Sequence, residues 1–385
     1  MPADAGTGTG DGPLALFVVT EDWYFVSHRL PMARAAAAAG FRVAVATRVD
    51  RHADAIRAEG FALHPLPWSR SERGVLAVLR RVLALAALFR RLRPALVHLV
   101  ALKPILLGGL ALRLVRAPAA IHSLNGLGSG FLGDRAKDRL RRAVLLGFMR
   151  LAFRRARTRV IVQNGEDLAL VEARGLARPG TVRLIPGSGI EIDRFVPLAE
   201  PDAGPPTVAF VGRMLRYKGP HLVVEAQAIL RARGVDVGVL LAGTPDPDNP
   251  GSIDEATLRD WGARPGVRWL GHVADVRTVH AQAHMAVLVS KTEGIPRSLL
   301  EAMACGRPVI AGRAPGGPEV ARDDTGLLVP VDDAEALADA IGRLAADPAL
   351  RRRLGAGARR LVEREMSAEA VGAATVALYR DVLAE

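Results

Sequence analysis

A single cysteine, Cys305, in 385 residues leaves nothing to pair with in a disulfide and no cluster of thiols for zinc or iron–sulfur chemistry. It falls in an apolar, helix-like run and reads as a small core residue. Aromatic residues are only 4% of the chain and do not interleave with the basic ones. Single-stranded nucleic acid, which needs stacking platforms, is therefore disfavoured. A membrane-crossing helix needs about 20 nearly uncharged residues. The most apolar stretch, 95–115, is interrupted by His98, Lys103, Pro104 and Arg113. Residues 1–12 are polar, Gly-rich and acidic rather than basic, so they read as a disordered tail and not as a secretory leader. No strand precedes their glycines, which excludes a phosphate loop there.

Acidic residues are scarce in one half of the chain. Residues 1–190 hold 29 Lys+Arg against 13 Asp+Glu, and the remainder holds 23 against 27. The net charge of +12 thus belongs to the N-terminal half, which calls for an anionic partner.

What is present is a repeated alternation. Short apolar runs (Leu14–Thr20, Arg42–Thr47, Ala62–Leu66, Ala95–Leu99, Ala119–Ser123, Val160–Gln163, Val182–Ile185) are separated by helix-length segments, including His28–Ala39, Val75–Leu92 and Asp134–Arg157. Near-continuous apolar strands between helices imply a parallel sheet covered on both faces. Pro197–Pro206 carries four prolines and reads as a linker. The alternation then restarts at Thr207–Val211 and continues through Gly326–Val329. The expected organisation is a tail at 1–12, an N-terminal Rossmann-like domain at 13–196, the linker at 197–206, a C-terminal Rossmann-like domain at 207–364 and a last helix at 365–385 that could pack back on the first domain. The fold class is α/β, two doubly wound domains facing each other across a deep cleft, with ligands at strand C-terminal ends.

The strongest chemical signal is Glu293-Gly-Ile-Pro-Arg-Ser-Leu-Leu-Glu301, which follows an apolar strand. Pro296 suits the first turn of a helix, where its missing N–H is no loss. The amides of Gly294, Ile295 and Arg297, with the helix dipole, then form an anion site. Carboxylates beside such a cradle are explained by ligand hydroxyl groups, so Glu293 and Glu301, with Ser298 between them, suit a sugar or ribose. A second element is Val211-Gly-Arg213-Met-Leu-Arg-Tyr-Lys218-Gly219. A strand enters a turn at Gly212, and Arg213 and Lys218 precede the next helix in positions that suit a diphosphate. The Gly-x-Gly-x-x-Gly fingerprint is missing here, which disfavours NAD. Gly271-His272-Val273 ends another strand and could meet a nucleobase edge. Ala314-Pro-Gly-Gly317-Pro-Glu319 supplies a tight turn.

From Gly212 to Glu319 these elements resemble the family-4 glycosyltransferases of the two-domain GT-B class. The shared features are Gly212-Arg213, Lys218-Gly219, Gly271, the Glu293…Glu301 pair, Glu301-Ala-Met-Ala-Cys-Gly-Arg-Pro-Val309 and Gly316-Gly317-Pro-Glu319. The resemblance implies that Arg213 and Lys218 neutralise a donor diphosphate, Glu301 holds the ribose, and Glu293 with the amides beyond it holds the transferred sugar. It also implies transfer with retention and no metal or other cofactor. A UDP-sugar is the expected donor. Asp246-Pro-Asp248 has the D-x-D form of the metal motif in the other glycosyltransferase fold, but it lies in a Pro-rich loop and reads as a turn. His280 and His284 have i,i+4 spacing without a third ligand and do not make a metal site.

The N-terminal half matches more loosely. Thr20–Pro31, Asn125–Gly130 and Gly187–Gly189 resemble enzymes that extend undecaprenyl-diphosphate-linked saccharides in bacterial glycan assembly. Many family members carry His near the position of Asn125. On this resemblance His28, Arg29, Lys103 and Asn125 are acceptor-side candidates, Asn125 also a catalytic one, and the acceptor is a lipid-linked saccharide. Residues 135–159 hold ten Lys/Arg and one acid around the apolar stripe Leu140, Val144, Phe148 and Leu151. Segment 73–93 is similar. A basic amphipathic helix suits an anionic membrane surface, so the protein is expected at the inner face of the cytoplasmic membrane. The rival readings are a nucleotide-sugar epimerase or phosphorylase on the same architecture, and a basic nucleic-acid-binding protein. No pyridoxal-binding lysine region supports a phosphorylase.

Overall fold

The computed structural model describes residues 11–68, 74–116, 118–126 and 135–385. The tail at 1–10 and most of the glycine-rich segment after Asn125 lie outside these residues. The chain divides into two compact units, one running to Gly189 and resuming at Ala368, the other Ile190–Ser367.

The first unit is built on a seven-stranded parallel sheet of β1 (Leu14–Glu21), β2 (Arg42–Arg48), β3 (Ala62–Pro65), β4 (Leu96–Val100), β5 (Ala119–Leu124), β6 (Thr158–Val162) and β7 (Val182–Leu184). Its order is β3-β2-β1-β4-β5-β6-β7. Every residue of β4, β5 and β6 is buried, which is why these strands are largely apolar, with His98, His122, Ser123, Thr158 and Arg159 as the buried polar exceptions. Helices α4 (Val75–Leu92), α5 (Leu102–Ala111) and α6 (Ala136–Phe153) pack side by side, α5 in the middle. Gly109 lets α5 approach α6, since a Cβ there would stand 2.6 Å from the Cβ of Ala152. Two helices follow β1, α1 (Asp22–His28) and α2 (Leu30–Ala38), where the sequence suggested one starting at His28. The break falls at Arg29, the residue joining them.

The C-terminal helix, α14 (Ala368–Leu383), packs on α2 within this unit. Its Tyr379 is fully buried and its hydroxyl lies 2.5 Å from His98 Nδ1, while His98 Nε2 lies 2.5 Å from Ser123 Oγ. This chain ties α14 to β4 and β5. Burial holds the His98 ring well below the usual histidine range, with Arg29 and His122 adding to the effect.

The second unit holds a six-stranded parallel sheet of β8 (Thr207–Val211), β9 (Gly238–Ala242), β10 (Val267–Gly271), β11 (Met285–Leu288), β12 (Val309–Gly312) and β13 (Gly326–Val329), in the order β10-β9-β8-β11-β12-β13. Its helices are α8 (Pro220–Ala232), α9 (Glu255–Gly262), α10 (Arg277–His280), α11 (Arg297–Ala304), α12 (Ala334–Ala346) and α13 (Pro348–Leu361). The crossing into this unit comes at Ile190, earlier than the Pro-rich stretch suggested. Ile190 bridges Ser367, the Leu198 amide donates to the Cys305 carbonyl, and Glu200 pairs with Arg351 at 3.0 Å. Residues 190–200 are thus fastened to the second unit by contacts distant in sequence. Cys305 is buried and unpaired, as a core residue would be.

Candidate active site

In an open parallel sheet, the loops at the strand C-terminal ends diverge where strand order reverses, and a ligand fits there. In the second unit this point lies between β8 and β11. The two segments singled out in the sequence are the loops that leave these strands. Three backbone features fix them. The Lys291 amide donates to the Tyr217 carbonyl at 2.9 Å, joining the two loops. The Glu293 amide donates to Pro315 at 3.1 Å, joining the second loop to the turn after β12. Gly316, with φ +86°, lies so close that a Cβ would stand 2.6 Å from the Gly294 carbonyl oxygen. Gly316-Gly317 is therefore a packing requirement for the Glu293–Gly294 backbone.

Lys218 and Glu293 meet directly, Nζ to Oε1 at 2.5 Å, and both side chains are mostly buried. Gly219 makes this possible. It adopts φ +82°, and a Cβ would stand 2.5 Å from Val289 Cγ2. Pro220 then opens α8. Pro296 is the N-cap of α11 rather than its first helical residue. Gly294, Ile295 and Pro296 are buried, and Arg297 and Ser298 form the first turn. Arg297 Nε donates to Glu301 Oε1 at 2.9 Å, one helical turn on. Burial raises the Glu301 carboxyl above its ordinary range, although Arg297 works the other way.

Arg213 is placed differently. It pairs with Asp246 at 2.7 Å, and half of its side chain is exposed. The Asp246 amide donates to Ser252 Oγ and its carbonyl accepts from Asn249, so this loop is a turn that also presents a carboxylate to Arg213. Both predicted diphosphate cations thus carry carboxylate partners. At the neighbouring strand ends, the Gly212 amide donates to Ala242 and the Gly243 amide to Gly271. A Cβ on Gly243 would stand 1.8 Å from the Gly212 carbonyl oxygen. His272 follows as an exposed residue, and Val273 packs on the small cluster of Ala209, Leu240 and Val279. Beyond Val273 the chain forms only the short helix α10 before β11. His280 is buried there, and His284 Nδ1 accepts from the Thr207 amide at 3.0 Å.

In the first unit, three of the four acceptor-side candidates form one cluster. The His28 ring stacks on Tyr24 with centroids 4.3 Å apart, Asn125 Nδ2 donates to the Tyr24 hydroxyl at 2.9 Å, and the Arg29 guanidinium lies 6.0 Å from the Tyr24 ring. Arg29 is 1% exposed, and its Nε and Nη2 have no acceptor among the described residues. Lys103 lies instead over the Trp68 ring, at 5.3 Å. It lies in the first turn of α5, whose N-cap Ala101 has φ of +69° and ψ of +166°, close to glycine-only territory. Tyr24 was not foreseen from the sequence. Nor was Asp22, whose carboxylate accepts from the amides of Trp23, Asp50 and His52. Burial alone would raise the Asp22 carboxyl, but these three donors bring it below its ordinary value. The only local clue to Asp22 was an acid at the start of a helix.

Residues 15–164 match the model of the glycosyl transferase 4-like domain, and residues 205–347 that of the group 1 glycosyl transferases. The D-inositol 3-phosphate glycosyltransferase of Saccharomonospora viridis is 33% identical over 264 residues, which are 59% of each chain. The chain therefore matches under two thirds of that relative's length. Among solved structures, sucrose-phosphate synthase from Thermosynechococcus elongatus superposes with TM-score 0.79 at 25% identity, covering 97% of this chain and 99% of that one. HepE of Anabaena, solved with UDP and glucose, superposes with TM-score 0.76 at 18% identity, covering 96% of this chain and all of the other. With one domain model matched by each unit, the chain belongs to the family-4 glycosyltransferases of the GT-B fold.

Proposed function

We propose that the chain moves a sugar, with retention of configuration and without a metal, from a UDP-sugar to a lipid-linked saccharide in bacterial glycan synthesis. The observation that carries the donor half is the junction of Lys218, Glu293 and the N-terminal turn of α11 at the β8/β11 reversal. A departing nucleoside diphosphate gathers negative charge. A fixed cation and a helix N-terminus stabilise that charge most in the transition state, where it is largest. In this reading the diphosphate competes with Glu293 for Lys218 and with Asp246 for Arg213, which leaves each carboxylate able to accept from ligand hydroxyl groups. Glu301 takes the ribose hydroxyls. A leaving phosphate oxygen can itself receive the acceptor proton on the same face, so no separate strong base is required. HepE, solved with UDP and glucose, accords with the choice of base.

His28, Arg29 and Asn125 form the acceptor side, with Arg29 facing an anionic group. A phosphate-bearing acceptor is in keeping with the names of two relatives, a D-inositol 3-phosphate glycosyltransferase and a sucrose-phosphate synthase. A lipid-linked one is favoured by the exposed apolar residues of α4 and α6, among them Leu76, Leu79, Leu140 and Val144. Among the described residues no helix is long and apolar enough to cross a membrane. The proposal is therefore peripheral docking of this basic face on anionic lipid. A thermal-shift screen with UDP-, GDP- and ADP-sugars tests the donor, because a ligand of the native state raises its melting temperature. Stabilisation by the UDP-sugars alone is expected. A shift with none of the three would overturn the donor assignment.

A further inference from the structure

Leu140, Val144, Phe148 and Leu151 of α6 are 68%, 50%, 42% and 40% exposed, while Met149, Ala152 and Phe153 turn into the core. The four exposed residues are spaced by four, four and three, so they form one stripe along the helix. The next position on this stripe is Arg154. It lines a cavity of about 370 Å³ with Glu172, Gly175, Arg178, Gly180 and Val182. This cavity lies where the chain enters β6 and β7, at the opposite end of the sheet from the acceptor-side cluster.

The cavity is short of acceptors. Arg154 Nη1 donates to the Gly175 carbonyl at a long 3.3 Å. Nε and Nη2 of Arg178 are out of solvent without an acceptor among the described residues. Arg155 Nη1 and Arg157 Nε nearby are in the same state. Among the described residues lining the cavity, Glu172 is the one acid. Asp381 and Glu385 are engaged by Arg159, at 2.8 and 2.9 Å. Crowding by Arg113 and Arg157 adds to burial in bringing the Arg155 guanidinium down to about 10. Buried arginine nitrogens without acceptors are costly. An anion that accepts from several of them removes that cost, and phosphate oxygens suit the planar guanidinium fork.

We propose that the Arg154–Arg178 cavity grips the phosphate of an anionic lipid headgroup while the apolar stripe of α6 enters the lipid. The inference rests on the membrane reading above and adds a defined headgroup site to it. The cavity abuts a stripe that soluble anions would leave exposed, which is why a lipid is favoured over free phosphate.

The test is sedimentation of the full chain with phosphatidylcholine vesicles doped with phosphatidylglycerol, or with oleate at equal surface charge. Wild type is expected to prefer phosphatidylglycerol. Arg154→Gln/Arg178→Gln loses that preference and about 10-fold or more in partitioning, whereas the charge-matched pair Arg141→Gln/Arg150→Gln keeps the preference. Arg154→Lys/Arg178→Lys, which retains charge but not the fork, also loses it and serves if the glutamine pair fails to fold. Equal partitioning to both anionic vesicles by wild type, or equal losses in both glutamine pairs, overturns the site and leaves general membrane docking intact. Binding of glycerol phosphate in solution with no lipid preference overturns it in favour of a soluble ligand. No sedimentation with any vesicle overturns both the site and the membrane reading.

Discussion

Lys218 and Glu293, 75 residues apart in sequence, hold each other at 2.5 Å across the point where the strand order of the second sheet reverses. On the proposed donor reading, a diphosphate would compete with Glu293 for Lys218 here and free the carboxylate for ligand hydroxyl groups. Replacing Lys218 by Ala should lower transfer by about 10²-fold or more, the scale of losing one transition-state electrostatic contact. Glu301→Ala should act similarly. Initial rates with the full chain, alongside melting temperatures to confirm folding, give the answer. Near-wild-type rates in both variants would refute the donor site.

The strands and the two loops at the β8/β11 reversal were legible because their signals are local. Short, largely apolar runs marked β4, β5 and β6. The Glu293–Glu301 spacing placed its two acids at the entrance and in the second turn of α11. What stayed hidden depends on residues far apart in the chain. Arg213 finds Asp246 through the packing of two loops, and Tyr24 finds Asn125 101 residues away. Helix α1 was missed, the expected helix beginning only at His28, because Trp23-Tyr24-Phe25-Val26 has the composition of a strand and Glu21 makes no side-chain cap hydrogen bond. Residues 190–196 read as the end of the first domain, and 197–200 as the start of a linker, because nothing local records their fastening to Cys305, Arg351 and Ser367.

Gly316 separates two kinds of glycine cost. Gly40 also has positive φ, +93°, but a Cβ there would meet nothing within 4 Å. Gly40→Ala should cost only the left-handed strain, about 1–2 kcal/mol. Gly316→Ala adds a clash with the Gly294 carbonyl, and should cost about 3 kcal/mol or more while weakening donor binding. Urea unfolding with UDP titration distinguishes them, and equal costs would contradict the packing role.

Arg29 carries a buried charge with two nitrogens that lack acceptors among the described residues. Removing such a charge in favour of an apolar residue of similar length is often neutral or stabilising. Arg29→Met should therefore hold or raise the melting temperature, yet reduce acceptor-dependent transfer about 10-fold with donor affinity unchanged. Unchanged transfer would remove Arg29 from the acceptor side.

Acid should loosen both units. Burial, aided by Arg155, pulls the His122 ring down to about 3, and burial with Arg307 pulls His280 down to about 4. Both folded-state values are below the unfolded value of roughly 6.5, so stability is full above that pH and is lost as pH falls towards 4. By pH 5 each ring should have withdrawn about 2 kcal/mol. Unfolding free energies between pH 7 and pH 4.5 should fall accordingly, and His122→Leu and His280→Leu should flatten the slope. A flat wild-type profile would contradict the buried neutral rings.

The most direct test of the donor site is calorimetric titration of the full chain with UDP, comparing wild type with Lys218→Ala. Binding by wild type that weakens at least about 10-fold in the variant is predicted from loss of a charge-assisted contact. Equal UDP affinity in the two proteins, both folded, would contradict the placement of the diphosphate at Lys218.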